Sequence, residues 1–265
     1  MPAALWALFA DPIPPGRLSP RGVVSALGLF VLLALSGCAG YRGPGLGLSS
    51  HELLEPQVIG DETVPTTQPA AMLPVRMVLV RLQRSGYPTL NEPCRGTGRL
   101  CVLTVRDVES DADLGRIADL PQVASLIPLP ARLIPATIRS VTDLRRSMIA
   151  EHIGDLALFY SIDTQSPPPP DSGSLERLRH SLLPAPTVTL KSRVSVSLTD
   201  IRSGFVYLQG DVELTEELEG GMAWSRQDSA TRARQATESR AFAAMTRYLE
   251  HHWGEVITPL AWRRD

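Results

Sequence analysis

The residues from Val188 to Leu214 place the tightest limit on what this chain can fold into. Val188, Leu190, Val194, Val196 and Leu198 alternate with Thr189, Lys191, Arg193, Ser195 and Ser197. Beyond Asp200-Ile-Arg-Ser-Gly204, the residues Val206, Leu208, Val212 and Leu214 alternate with Tyr207, Gln209, Asp211 and Glu213. Successive side chains of a strand point to opposite faces, so a period of two predicts strands with one face on a core. Two such runs around a Gly-closed loop predict an antiparallel hairpin.

The segments around this hairpin set the fold class. Arg76 to Gln83 is apolar on both phases in its middle, as a strand covered on both faces would be. Leu100 to Arg106 is a second strand, able to pair with the first. Glu109 to Leu120 carries Leu114, Ile117 and Leu120 at three-residue spacing, a short helix stopped by Pro121. Val123 to Leu129 is a further apolar run, and prolines 128, 130 and 135 force an irregular connection after it. Thr137 to Ile153 reads as a helix with Ile138, Val141, Leu144, Met148 and Ile149 or His152 on one face, and Gly154 suits its C-terminal cap. Leu156 to Ile162 then forms a buried strand. Asp228 to His252 is a long helix, with Asp228 or Ser229 as its N-cap and a packing stripe of Phe242, Met245, Leu249 and Trp253. The order is strand, strand, helix, strand, helix, strand, hairpin, helix. That order predicts an α/β class of fold, a two- or three-layer sandwich on a mixed sheet with a C-terminal hairpin and a long last helix.

The N-terminal region reads as an address. Residues 23–36 form an uncharged run of fourteen residues preceded by Arg17 and Arg21. A bilayer core of about 30 Å needs about twenty helical residues, so this run suits the h-region of a secretory signal peptide. It ends in Leu35-Ser36-Gly37-Cys38-Ala39-Gly40, which resembles the lipobox of bacterial lipoproteins. The resemblance implies cleavage before Cys38 and attachment of acyl chains there, with residues 1–37 lost. Each buried methylene contributes about 0.8 kcal/mol, so several chains together anchor a protein stably. Ala39 stands where an Asp favours retention in the inner membrane, and this implies the outer membrane. Residues 38–73, rich in Gly, Pro, Thr and Gln, are expected to form a flexible tether, with one helical turn at His51-Glu-Leu-Leu. Residues 74–265 are expected to form one periplasmic domain, interrupted by a Pro-rich insertion at 164–184 that contains Ser166-Pro-Pro-Pro-Pro-Asp.

Within that domain, the stretch from Asp143-Leu-Arg-Arg to His152-Ile-Gly-Asp-Leu-Ala-Leu-Phe-Tyr, followed by Val194-Ser-Val-Ser-Leu-Thr-Asp-Ile-Arg-Ser-Gly-Phe-Val, resembles a recurring periplasmic lipoprotein domain. The curli-secretion lipoprotein, the TolB N-terminal domain, lipoprotein activators of penicillin-binding proteins and the rhombotarget lipoproteins share its plan. The resemblance spans roughly residues 135–253 and rests on the Gly154-Asp155 step after a helix and an Asp-x-x-x-Gly hairpin tip. It implies a part in envelope assembly, secretion or regulation, without catalysis.

Chemistry is sparsely marked. The net charge is −2 with one lysine, Lys191, which gives no electrostatic reason to expect nucleic acid as a partner. Apart from Cys38, the cysteines are Cys94 and Cys101. In an exported protein this even pair favours a disulfide, with free thiols or metal ligation as the other states open to it. His251 and His252 are expected to close the last helix, where cations are favoured. Zinc would need two further ligands that sequence spacing does not supply. The acidic runs 109–113 and 213–219 lack calcium-loop spacing. Gly96-x-Gly98 lacks the context of a nucleotide loop, and no Gly-x-Ser-x-Gly elbow is present. No catalytic residue, metal or cofactor is expected. The partners expected are the membrane, through the lipid, and an envelope protein or a second copy of the chain. The alternative is a small-ligand-binding or hydrolytic enzyme whose site is assembled from distant residues.

Overall fold

A computed structural model describes residues 47–54, 68–86, 94–165, 187–219 and 227–261. The chain divides into two units, 1–41 and 42–265, and every described residue belongs to the second.

Eight strands among the described residues form one mixed sheet: β1 (Val75–Arg84), β2 (Thr97–Gly98), β3 (Leu100–Leu103), β4 (Val123–Pro128), β5 (Thr137–Ile138), β6 (Leu156–Gln165), β7 (Thr187–Asp200) and β8 (Val206–Glu219). The order across the sheet is β2-β5-β3-β1-β6-β7-β8, and β4 also pairs with β1. Parallel β6 flanks β1 along one edge. The other edge of β1 is shared. Parallel β4 takes Val75–Leu79, and antiparallel β3 takes Arg81–Arg84.

Helices cover both faces. Helices α1 (Asp111–Ala118) and α3 (Gln227–Ala261) lie on one side, where Ile117, Phe242, Met245, Leu249, Trp253, Val256 and Leu260 meet Met77, Leu158 and Val196. Helix α2 (Val141–Glu151) lies on the other, where Leu144 and Met148 meet Val78, Val80 and Phe159. Alternate residues of β1 and β6 therefore serve opposite cores, which is why these strands are apolar on both phases. The result is a three-layer α/β sandwich.

The hairpin is longer than the alternation marks, because β7 and β8 stay in register from Val188–Leu218 to Leu198–Leu208. At its tip Asp200 organises the turn. One carboxylate oxygen accepts the amides of Arg202 and Ser203, both at 2.9 Å, and Gly204 takes φ +77°, which favours glycine. The other oxygen accepts the amides of Ala70 and Ala71 at 2.7 Å and the Tyr207 hydroxyl at 3.0 Å. The Asp-x-x-x-Gly tip thus also holds the lead-in to β1.

The structure departs from three local expectations. Helix α2 starts at Val141, because Ser140 and Asp143 form a capping box and Thr137–Ile138 pairs as β5. Its left-handed cap is His152, at φ +53°, and not Gly154. Gly154 is instead a packing glycine, since a Cβ there would come within 2.5 Å of Val78 Cγ2. Helix α3 continues past the histidines to Ala261, because Trp253, Val256 and Leu260 carry the buried stripe onward. His251 and His252 therefore sit inside a helix and do not cap one.

The stretch expected to be a tether includes a packed segment. Residues 47–54 lie on the α2 side of the sheet, with Leu48 and Leu53 buried in that core and a 3-10 turn at Glu52–Leu54. Two leucines within polar, Gly-rich sequence are enough to dock it, because the sheet offers matching acceptors and donors. The Leu48 amide donates to Ser161 Oγ at 3.0 Å, and the Ser50 hydroxyl donates to Asp211 at 2.7 Å. The Pro-rich stretch 166–186 lies outside the described residues, and β6 runs on to Gln165 before it.

Candidate functional site

Cys38, the expected lipidation position, lies outside the described residues. Cys94 and Cys101 are joined as a disulfide with Cα atoms 5.5 Å apart. It closes the loop that carries β2, and Gly96 and Gly98, at φ +91° and +107°, pass close against Ile138 and its backbone there. Their spacing serves a crowded sheet edge. No group of three or more His, Cys, Asp or Glu side chains is placed to hold a metal among the described residues. The acidic run 109–113 disperses: Asp113 closes the N-terminal cap of α1 with Ser110 Oγ, while Glu109 points into the interior.

Glu109 belongs to a buried charged cluster that the sequence did not reveal. Its centre is Arg81 on β1, whose side chain is 4% exposed. The guanidinium donates to Asp107 at 2.6 Å and to Glu238 of α3 at 3.0 Å, and lies 3.8 Å from Glu109. Tyr160, paired with Arg81 across β1 and β6, donates its hydroxyl to Glu109. Arg234 binds the second Glu238 oxygen at 2.7 Å, and Gln235 donates to the Asp107 carbonyl at 2.8 Å. Burial opposes the charge on Arg81, but the oxygens of Tyr160, Glu109, Glu238 and Asp107 outweigh it and hold the guanidinium above its ordinary range. Burial and the neighbouring Glu109 charge push the Tyr160 hydroxyl well up, so it stays protonated. Arg81 sits mid-strand in an apolar run, and its partners lie up to 157 residues away. No local spacing could have disclosed them.

A small, partly open cleft of about 30 Å³ lies beside this cluster. It sits where β3 and β4 both end against β1, Leu103 opposite Arg81 and Pro128 opposite Leu79. Its walls include Arg81, Thr104, Arg106, Glu109, Leu129 and Tyr160. Among the described residues, Arg81 Nε has no hydrogen-bond partner. The arrangement leaves one buried donor beside a cleft with room for about one water.

No family model matches the chain, and no curated protein matches it. Among solved structures, a candidate lipoprotein of Caulobacter crescentus aligns at 16% identity over 42% of this chain and 71% of that one, with a TM-score of 0.25. A Xanthomonas campestris protein of the DUF330 family aligns at 8% identity over 71% and 93%, with a TM-score of 0.30. A hypothetical protein of Chlamydia trachomatis aligns at 12% identity over 70% and 98%, with a TM-score of 0.33. Among the described residues, no helix is long and apolar enough to cross a membrane.

Proposed function

We propose that this chain is a bacterial envelope lipoprotein, held by acyl chains on Cys38 at the outer membrane and facing the periplasm, whose α/β domain binds a partner protein. The observation that carries this reading is Leu35-Ser-Gly-Cys38 directly after a fourteen-residue uncharged run too short to span a bilayer. The charged cluster favours holding over reacting. Arg81 is already ion-paired with its carboxylates, and Tyr160 is kept protonated beside them. The role is assembly, secretion or regulation in the envelope, with no reaction assigned to the domain.

Metabolic labelling with radioactive palmitate tests the anchor. The wild-type chain should take up label and fractionate with outer membrane, while Cys38→Ser should lose both label and membrane association. A variant that stays equally membrane-bound and processed would refute the anchor. Cross-linking in intact cells should capture a discrete heterologous adduct, and its consistent absence would refute the partner role.

A further inference from the structure

The sheet ends on β8, and that edge has the properties of a docking strand. Among the described residues, β8 pairs with β7 alone. From Leu208 to Leu218 the ladder is regular; its one register shift lies at Leu198/Thr199, beside the hairpin tip. An edge of this length with no proline is normally blunted by bulges, prolines or a covering element. Among the described residues the devices are charge and, at the start of the stretch, Tyr248 of α3, which donates to the Gln209 carbonyl at 3.1 Å. Glu213, Thr215 and Glu217 form an exposed row on one face. On the face toward α3 lie Val212, Leu214 and Leu218, half-buried, with Leu214 and Leu218 packed at the margins of the cores. Glu216 on that face is already held, accepting from Thr237 at 2.7 Å and pairing with Arg240 at 2.5 Å.

The inner neighbour shows what such a strand accepts. On β7, Arg193 stands opposite Glu213 and Lys191 opposite Thr215, between Glu213 and Glu217. On the other face Val194 stands opposite Val212 and Val188 opposite Leu218, both buried, while Ser192 lies opposite Leu214 and Leu190 opposite Glu216. Basic residues beside the acidic row and aliphatic residues beside both ends of the apolar row are thus the pattern already satisfied on one side. A second copy of β8 would instead set acidic residues against acidic ones, which is unfavourable across a strand pair. We infer that the outer edge of β8 takes an extended segment of a partner protein, alternating Lys or Arg with Val, Leu or Ile, as an added strand. Backbone hydrogen bonds would supply affinity and the two rows would supply selectivity. This deepens the partner-binding reading above and rests on it.

The probe is an acetylated and amidated eight-residue Lys-Val repeat, added to the purified full-length chain in detergent. Hydrogen–deuterium exchange should slow at least tenfold across residues 208–218. Affinity should fall at least tenfold for the exposed double variant Glu213→Lys/Glu217→Lys, which should now prefer a Glu-Val repeat. N-methylation of alternate peptide amides should abolish binding, because it removes the donors an added strand needs. Absent binding, protection elsewhere, indifference to N-methylation, or β8 protection that grows with protein concentration alone would each overturn the inference. A photo-cross-linker at Glu217 in cells separates it from the broader reading. Adducts formed only through other faces refute the β8 edge and leave the anchored partner-binding protein standing.

Discussion

Single residues carry more of this fold than their exposure suggests, and Asp200 is the clearest case. It accepts from four backbone amides and one hydroxyl while fully buried. Hydrogen bonds to a charged acceptor contribute about 1.5–3 kcal/mol each, and buried donors left unpaired add to the loss. Because the five share one carboxylate their contributions do not add, so Asp200→Ala should cost about 3–5 kcal/mol in urea denaturation, whereas Tyr207→Phe should cost about 1 kcal/mol. Equal effects would mean that the amides of the turn and of Ala70–Ala71 gain nothing measurable from the carboxylate. Asp155 works similarly at the same end of the sheet. Burial opposes its ionisation, but hydrogen bonds from the Arg76 side chain and amide prevail and lower its pKa. The Asp200 turn was legible because its bonds to Arg202 and Ser203 lie within three residues, whereas its hold on Ala70 and Ala71 and the Asp155–Arg76 pair, 79 residues apart, were not. Arg81 could not be found that way, because Asp107 and Glu238 reach it from other elements.

At the scale of elements, the hairpin, the two-faced strands and the stripe of α3 were legible because each repeats at a regular period. The segment 47–54 was not, since two buried leucines and a few polar contacts make no period. Its attachment depends on Glu52. Burial opposes the charge of this carboxylate, but hydrogen bonds from Arg84 and Ser49 and the Arg84 charge outweigh it and lower its pKa from 4.5 to about 2. A depressed carboxylate pKa stabilises the docked state fully above about 4.5, and that contribution is lost as pH falls toward 2. The protection factors of the Leu48 and Leu53 amides, observed exchange corrected for the intrinsic rate at each pH, should therefore fall between pH 4.5 and 2 before the sheet opens. Glu52→Gln should lower these protection factors already at neutral pH and leave them independent of pH across that window. Protection that follows β6 at every pH would show that the segment is held by its leucines alone. Gly47 adds a steric condition, because a Cβ there would come within 2.2 Å of Asp163 Cβ.

For the molecule as a whole, the governing fact is that one sheet supplies both cores. Within β1, Met77 and Leu79 pack under α3 and α1 while Val78 and Val80 pack under α2, and β6 divides its residues in the same way. Neither helical layer can leave without exposing strands that the other layer still needs, so the two faces should unfold together. Phe242→Ala on one face should cost about 3–5 kcal/mol and Leu144→Ala on the other about 2–5 kcal/mol, each as a shift of a single transition. The side chains sit in separate clusters on opposite faces of the sheet. Their costs should add within about 0.5 kcal/mol in the double variant. Urea titrations followed by far-ultraviolet and near-ultraviolet circular dichroism supply the check. Coincident curves in all variants are expected, whereas a Leu144→Ala transition that splits, with native signal from the Trp253 face persisting, would mean that α3 and its side of the sheet form a separately stable unit.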